Sequence, residues 1–127
     1  MARKRRRRAY RWWEESYVYM MRAEDCYYKI GIARNPKVRR GQIQTSCPLR
    51  VEIDFTAGMM PRAYAENLEA ATLEDLKEYR CQGEWVRVED RALIESVQAE
   101  ITRCVKESQK GWRGSEPPYV SIPGRWE

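Results

Sequence analysis

The sequence contains no histidine, which excludes chemistry that depends on an imidazole. Histidine general bases, Ser-His-Asp triads and histidine-ligated metal sites all require that side chain. Cysteine is scarce as well, and no C-x-x-C pair argues for a zinc site or a disulfide framework. The four cysteines predict reduced, mostly buried thiols: Cys26, Cys47, Cys81 and Cys104. Any reaction must therefore use tyrosine, lysine, arginine and carboxylates.

Long apolar runs are also missing. No stretch approaches the roughly 20 apolar residues that span a bilayer. The basic N-terminus is not followed by the apolar core of a signal peptide. These absences predict a soluble, cytoplasmic protein without a membrane partner.

The positive charge is concentrated at the N-terminus. The net charge is +5, and seven cations lie between residues 3 and 11, so the rest of the chain is slightly acidic. Such a run predicts disorder in isolation and binding to a polyanion, with a solubilising or targeting tail as the alternative. The DNA-binding residues predicted in this arm are Arg3, Lys4, Arg5, Arg6, Arg7 and Arg8.

The length of 127 residues predicts one folded domain with two tails. We assign residues 1–13 to the basic arm, 14–110 to the domain and 111–127 to an extended C-terminal tail. This tail contains three prolines and two tryptophans without helical or strand periodicity. Its aromatic residues suggest docking, so a protein partner is predicted for one of the two arms.

The domain begins with a pattern typical of a β-hairpin. Two short apolar runs, residues 17–22 and 27–33, flank a charged turn. The alternation of side chains places Tyr19 on one face of the first strand, and it places Tyr28 on the opposite face of the second strand from Lys29. The hairpin is therefore predicted to be the platform of the site.

A helix is predicted directly after the hairpin. Asn35 is a favourable N-cap, Pro36 suits the first helical position, and Arg39 falls on the first turn. Arg39 is then predicted to meet Tyr19 and Lys29 at one edge of the sheet.

The stretch from residue 29 to residue 50 contains several cations and no acid. It predicts a local phosphate-binding surface. The DNA-binding residues assigned to this stretch are Arg34, Lys37, Arg40 and Gln44.

The remaining elements follow from periodicity. Residues 51–56 alternate as a half-buried strand that ends at Gly58, and a helix is predicted from about residue 61 to residue 80. Gly83 is interpreted as a helix C-cap before a short strand, with Trp85 filling the core. A final amphipathic helix runs from about residue 90 to residue 110.

The helix predicted over 61–80 carries a glutamate, Glu69, within its apolar stripe. The other members of the stripe are Ala65, Leu68, Thr72, Leu73, Leu76 and Tyr79. A carboxylate facing the sheet is costly to desolvate unless it is paired or binds a metal. A buried arginine partner is the structural alternative, and Glu66 at the edge of the stripe is the weaker candidate.

Over about residues 17–88 the chain resembles the GIY-YIG nuclease superfamily, in particular its small bacterial and phage branch. Tyr17-Val18-Tyr19 is similar to the first motif, with tyrosine in place of glycine, and Lys29-Ile30-Gly31 to the second, with lysine in place of its first tyrosine. Ile43-Gln44-Thr45 and Gly83-Glu84-Trp85 resemble two further signatures of this branch. Arg39 matches the helix arginine and Glu69 the metal-ligand glutamate. Leu73 replaces a histidine that often follows this glutamate.

The resemblance implies an α+β fold, with a small three-stranded antiparallel sheet flanked by helices. It implies a divalent-metal-dependent DNA endonuclease with Mg²⁺ or Mn²⁺ on Glu69. The catalytic residues would be Tyr19, Lys29, Arg39 and, ranked lower, Tyr28. In this interpretation Tyr19 takes a proton from the attacking water, while Lys29 and Arg39 lower the pKa of its phenol.

Two other functions stay open from the sequence. One is a non-catalytic DNA-binding or structural component of a nucleoprotein assembly or virion, because the two arms suit scaffolding and Leu73 permits loss of activity. The other, weaker, is RNA binding through the arm and the aromatic residues. A location within a phage particle or nucleoprotein complex is the matching alternative to the cytoplasm.

Overall fold

The structure is a computed structural model that describes residues 10–111. In chain order the elements are strand β1 (Glu15–Ala23), strand β2 (Tyr27–Ala33), helix α1 (Pro36–Thr45), strand β3 (Val51–Pro61), helix α2 (Arg62–Asp75), strand β4 (Arg80–Gln82), strand β5 (Trp85–Arg87) and helix α3 (Arg91–Gly111). The strands form one antiparallel sheet in the order β3-β1-β2-β5-β4. The α+β class is therefore confirmed.

The sheet has five strands in the described residues, so the prediction of three was wrong. The two additional strands, β4 and β5, have three residues each. A run of three residues is too short to show the period of two by which a strand is recognised in a sequence. Gly83 accordingly lies in the turn of a short hairpin, with a φ of 57°, and not at the end of a helix.

The predicted hairpin is confirmed, together with its alternation. Tyr19 on β1 lies opposite Gly31 on β2, and Met21 lies opposite Lys29. These four residues share one face of the sheet, because directly paired residues point to the same side. Tyr28 lies on the other face.

Strand β3 departs from its predicted pattern in two places. It continues past Gly58 to Pro61, because the bare backbone of Gly58 allows a close approach: a Cβ there would lie 2.9 Å from the Ser16 carbonyl oxygen. Between Ile53 and Phe55 the register with β1 shifts by one residue. Asp54 is the additional residue of this β-bulge, so Ile53 and Phe55 face opposite sides of the sheet instead of the same side.

Helix α2 ends at Asp75 and not near residue 80. A single 3-10 turn (Lys77–Tyr79) follows, and the chain then pairs with β5. Leu76, at the C-cap, is 1% exposed, so the break occurs where the helix is anchored in the core.

Two apolar clusters lie on opposite faces of the sheet. The larger one packs α2 and α3 against the face that carries Tyr28, and it includes Val18, Met20, Ile30, Leu68, Ile94 and Ile101. The smaller one contains Tyr19, Met21, Ala23 and Val51. Trp85 is only half-buried and packs against this smaller cluster, so the prediction that it fills the core was wrong.

The four cysteines are free thiols, as expected, but only Cys104 is buried. Over the range 10–111, no helix is both long and apolar enough to cross a membrane.

Candidate active site

Tyr19 lies at the centre of the smaller cluster and is 1% exposed. Its ring covers Gly31, where a Cβ would lie 2.5 Å from Cζ of the tyrosine and closer still to its hydroxyl oxygen. Only glycine therefore fits at this position of β2. The glycine of the Lys29-Ile30-Gly31 motif thus has a packing role beneath the phenol.

The surroundings of the phenol correct one prediction. Burial raises the pKa of Tyr19 above its ordinary value of 10.0. Arg39, beside the hydroxyl, acts in the opposite direction but is outweighed, and Glu84 and Glu69 raise the pKa further. Arg39 thus lowers the pKa of Tyr19 as predicted, but the expectation of a net decrease was wrong, because burial disfavours the phenolate more strongly than the arginine stabilises it.

Arg39 is placed by the start of α1. The Asn35 side chain accepts hydrogen bonds from the backbone nitrogens of Lys37 and Val38, at 3.1 and 3.3 Å, which caps the helix as predicted. Arg39 follows on the first turn and donates to Gln42 at 3.3 Å. The cap therefore fixes the turn that brings a guanidinium to the phenol.

Lys29 lies on the same face of β2, and its side chain is 15% exposed. Its Nζ is 4.0 Å from Oε1 of Glu84 and 6.0 Å from the centre of the Trp85 ring. The backbone holds this geometry, because Lys29 pairs directly with Trp85 and the Ile30 nitrogen donates to the Glu84 carbonyl at 3.3 Å. The turn between β4 and β5 thus carries a carboxylate to the lysine.

Glu69 reaches this group of charges from α2, one residue after the buried Leu68. Its pKa is raised to about 7, first by burial, next by the charge of Glu84 and by a hydrogen bond with it, and then by Glu66. Lys29 acts in the opposite direction. No arginine is among these influences, so they give no support to the alternative of a buried arginine partner for Glu69.

The structure brings five side chains together: Tyr19, Lys29, Arg39, Glu69 and Glu84. We call this group the charged cluster. Four of its members were predicted from the sequence, but Glu84 was not assigned a role. The signal that could have found it is its position in a Gly-Glu-Trp turn directly before a strand.

The charged cluster can hold a divalent cation. Burial and the neighbouring Glu84 carboxylate raise the pKa of Glu69 to about 7, and Lys29 offsets this only in part, so a divalent cation would replace the proton that Glu69 keeps near neutral pH. Within residues 10–111, no three His, Cys, Asp or Glu side chains form a metal-binding group. A site with two carboxylates leaves most positions to water and substrate, as Mg²⁺ prefers.

Tyr28 does not join the charged cluster. It is fully buried on the other face, where its hydroxyl accepts a hydrogen bond of 3.2 Å from Arg91. The same Arg91 nitrogen donates to Asp54 at 2.7 Å, and Gln98 donates to the same Asp54 oxygen at 2.7 Å. We call these four residues the α3 anchor.

The predicted DNA-binding residues separate into three groups. Arg3 to Arg8 lie outside the described residues. Arg40 and Gln44 hold the loop before β3: Arg40 donates to the Val51 carbonyl at 2.9 Å, and the Gln44 amide bonds both Leu49 and Val51. Lys37 is exposed, and Arg34 is exposed but pairs with Glu14 at 3.2 Å.

The fold and the charged cluster define an α+β domain with a polar, partly buried site to which the sheet, α1 and α2 all contribute. The model of the T5orf172 domain matches residues 16–107, and the chain belongs to this family, a phage-associated one with a nuclease-related fold. The matched range contains every member of the charged cluster. No curated protein and no solved structure matches the chain.

Proposed function

We propose that the protein is a divalent-metal-dependent endonuclease that hydrolyses DNA phosphodiester bonds, of the GIY-YIG type. The observation that carries the proposal is the charged cluster, in which a phenol, an arginine, a lysine and two carboxylates come close together. The nuclease-related family supports a DNA substrate.

Each side chain has a role that its position allows. Arg39 is exposed and adjoins the Tyr19 hydroxyl, so it can bind a phosphate oxygen and offset the charge that grows in the transition state. Tyr19 accepts the proton of the attacking water. Because burial raises the pKa of Tyr19, its phenolate is scarce but strongly basic, and the rate should rise with pH.

The two carboxylates would hold the cation. Glu69 would hold Mg²⁺ or Mn²⁺, with Glu84 beside it, and Lys29 fixes Glu84 through their ion pair. When bound, the cation supplies positive charge against the phosphate in the transition state.

The test is a nicking assay on supercoiled plasmid with Mg²⁺, with Mn²⁺ and with EDTA. We expect nicking that requires the cation, and we expect Glu69→Gln to abolish it while binding of a DNA duplex is kept. Gln preserves the shape of the side chain but removes its charge and replaces one acceptor oxygen by an NH2 donor.

The matched control is Glu66→Gln, one helical turn away, where Oε1 of the carboxylate is paired with Arg62 at 3.2 Å. This variant should cleave nearly as wild type does, because Glu66 is not a member of the charged cluster and affects Glu69 only as a more distant charge. If the wild type cleaves nothing with either cation, the nuclease proposal fails and a non-catalytic DNA-binding component is the better account.

A further inference from the structure

An apolar cavity of about 180 Å³ lies beside the charged cluster. The side chains that line it are mainly apolar or aromatic: Ala23, Tyr27, Cys47, Leu49, Cys81, Gln82 and Trp85. All but Cys81 and Gln82 belong to the smaller apolar cluster, on the face that carries Tyr19. None of them has a role in the hydrolysis proposed above.

The cavity begins where the charged cluster ends. Tyr27 precedes Lys29 by two residues on the same face of β2, a separation of about 6.6 Å along a strand. Trp85 follows Glu84 directly and pairs with Lys29. A strand of nucleic acid with one phosphate at the charged cluster would therefore have its neighbouring nucleotide over this cavity.

Both aromatic rings that line the cavity carry a cation. Lys29 Nζ is 6.0 Å from the centre of the Trp85 ring, and Arg87 Cζ is 5.9 Å from that of Tyr27. Flat rings bordered by cations are the combination that binds nucleobases attached to a phosphate backbone.

We propose that this cavity binds one unpaired base of the DNA strand whose adjacent phosphodiester lies at the charged cluster. The proposal rests on the proposed function and narrows its substrate class to DNA that is single-stranded or locally unpaired. A base inside a duplex is covered by its neighbours on both faces, so neither ring can stack on it.

The experiment measures binding in EDTA, where no cleavage occurs. Fluorescence anisotropy compares a labelled ten-nucleotide thymidine strand with a strand of ten abasic units that has the same charge. The wild type should bind the thymidine strand about 5- to 100-fold more tightly, since stacking of one base on an aromatic side chain is typically worth a factor of this size. Because the two probes have equal charge, contributions from the basic arm cancel.

Two variants act on the cavity in opposite ways. Trp85→Leu removes a stacking ring, and Leu49→Phe fills the space with an additional one. Each should abolish the preference for the thymidine strand without changing affinity for the abasic strand. The matched control is Trp13→Leu, the same substitution at a tryptophan that is 47% exposed and does not line the cavity.

Equal binding of the two probes by the wild type overturns the proposal. The proposal is also overturned if Leu49→Phe has the wild-type melting temperature and still prefers the thymidine strand. This second variant keeps the test decisive if Trp85→Leu does not fold. If only the nuclease proposal fails, the result is different: the wild type does not nick plasmid but still binds the thymidine strand more tightly than the abasic strand.

Discussion

The two fully buried tyrosines of the sheet, Tyr19 and Tyr28, lie on opposite faces and have opposite surroundings. Tyr28 directs its hydroxyl into the α3 anchor, where Arg91 and Asp54 form a direct ion pair of 2.7 Å. The hydroxyl of Tyr19 lies beside Arg39, and its pKa is raised first by burial and then by the charges of Glu84 and Glu69. Burial alone therefore does not distinguish a structural tyrosine from a candidate catalytic one.

The charges around the two hydroxyl groups do distinguish the two tyrosines. In the α3 anchor each charge meets an opposite charge, and the hydrogen bonds join a strand to a helix. In the charged cluster two carboxylates lie together and the pKa of Glu69 rises to about 7. A half-buried carboxylate with a strongly raised pKa beside a like charge lowers stability, and such groups are candidates for a functional site.

The largest effect is expected from exchanging the two phenols for phenylalanine. Tyr19→Phe should lower the cleavage rate by about 10²- to 10⁴-fold, the usual contribution of a general base, with DNA affinity unchanged. Tyr28→Phe should leave the rate intact and lower the free energy of unfolding by about 1 kcal/mol, through the hydrogen bond lost from Arg91. Single-turnover cleavage and urea unfolding measure the two quantities.

The reversed result, in which Tyr28→Phe abolishes cleavage and Tyr19→Phe does not, would assign the site to the other face. Melting temperatures of both variants serve as the control, since a misfolded variant loses activity for another reason.

The second largest effect concerns the α3 anchor itself. Asp54→Ala should lower the free energy of unfolding by about 2–3 kcal/mol, because its carboxylate is 8% exposed and accepts from both Arg91 and Gln98. The catalytic rate of the folded fraction should not change. A loss of rate without a loss of stability would show that the two faces are coupled.

The third largest effect is expected from a substitution of Gly31, the glycine beneath the Tyr19 ring. Gly31→Ala should lower the free energy of unfolding by about 1–3 kcal/mol, because the added methyl group collides with the Tyr19 ring. The cleavage rate should fall as well, because the phenol is displaced.

Gly41→Ala is the matched control. Nothing lies within 4 Å of a Cβ at this position of α1, so alanine should raise the free energy of unfolding by about 0.5–1 kcal/mol. Wild-type cleavage by Gly31→Ala would contradict the placement of Tyr19.

The sequence predicted the Tyr19 face better than the other one. The hairpin, the Asn35 cap and Arg39 follow from local patterns, and a period of two is enough to separate Tyr19 from Tyr28. Local patterns could not reveal the bulge at Asp54, because an extra residue in β3 is defined only by its pairing with β1. The α3 anchor was missed for that reason.

Glu84 was missed for a related reason. Its position depends on a hairpin of two three-residue strands, which has no detectable period in the sequence. The raised pKa of Tyr19 could not be predicted either, because the depth of burial decides whether desolvation or a neighbouring arginine prevails.

The smallest effect is a pH dependence of stability that originates in the charged cluster alone. The pKa of Glu69 is about 7 in the folded protein and near its ordinary value of 4.5 when unfolded. Between these values the folded state binds a proton that the unfolded state has released, so stability falls as pH rises from about 4.5 to 7. The side chain is only half-buried, so water moderates the effect, and we expect a decrease of a few degrees in the melting temperature measured in EDTA.

Glu69→Gln imitates the protonated form, so its melting temperature should match that of the wild type near pH 5 and exceed it at pH 8. The control Glu78→Gln, at an exposed position, should follow the wild type throughout. Equal slopes for wild type and Glu69→Gln would show that the pKa of Glu69 is not raised in the folded protein, and the contrast with the fully paired α3 anchor would then be lost.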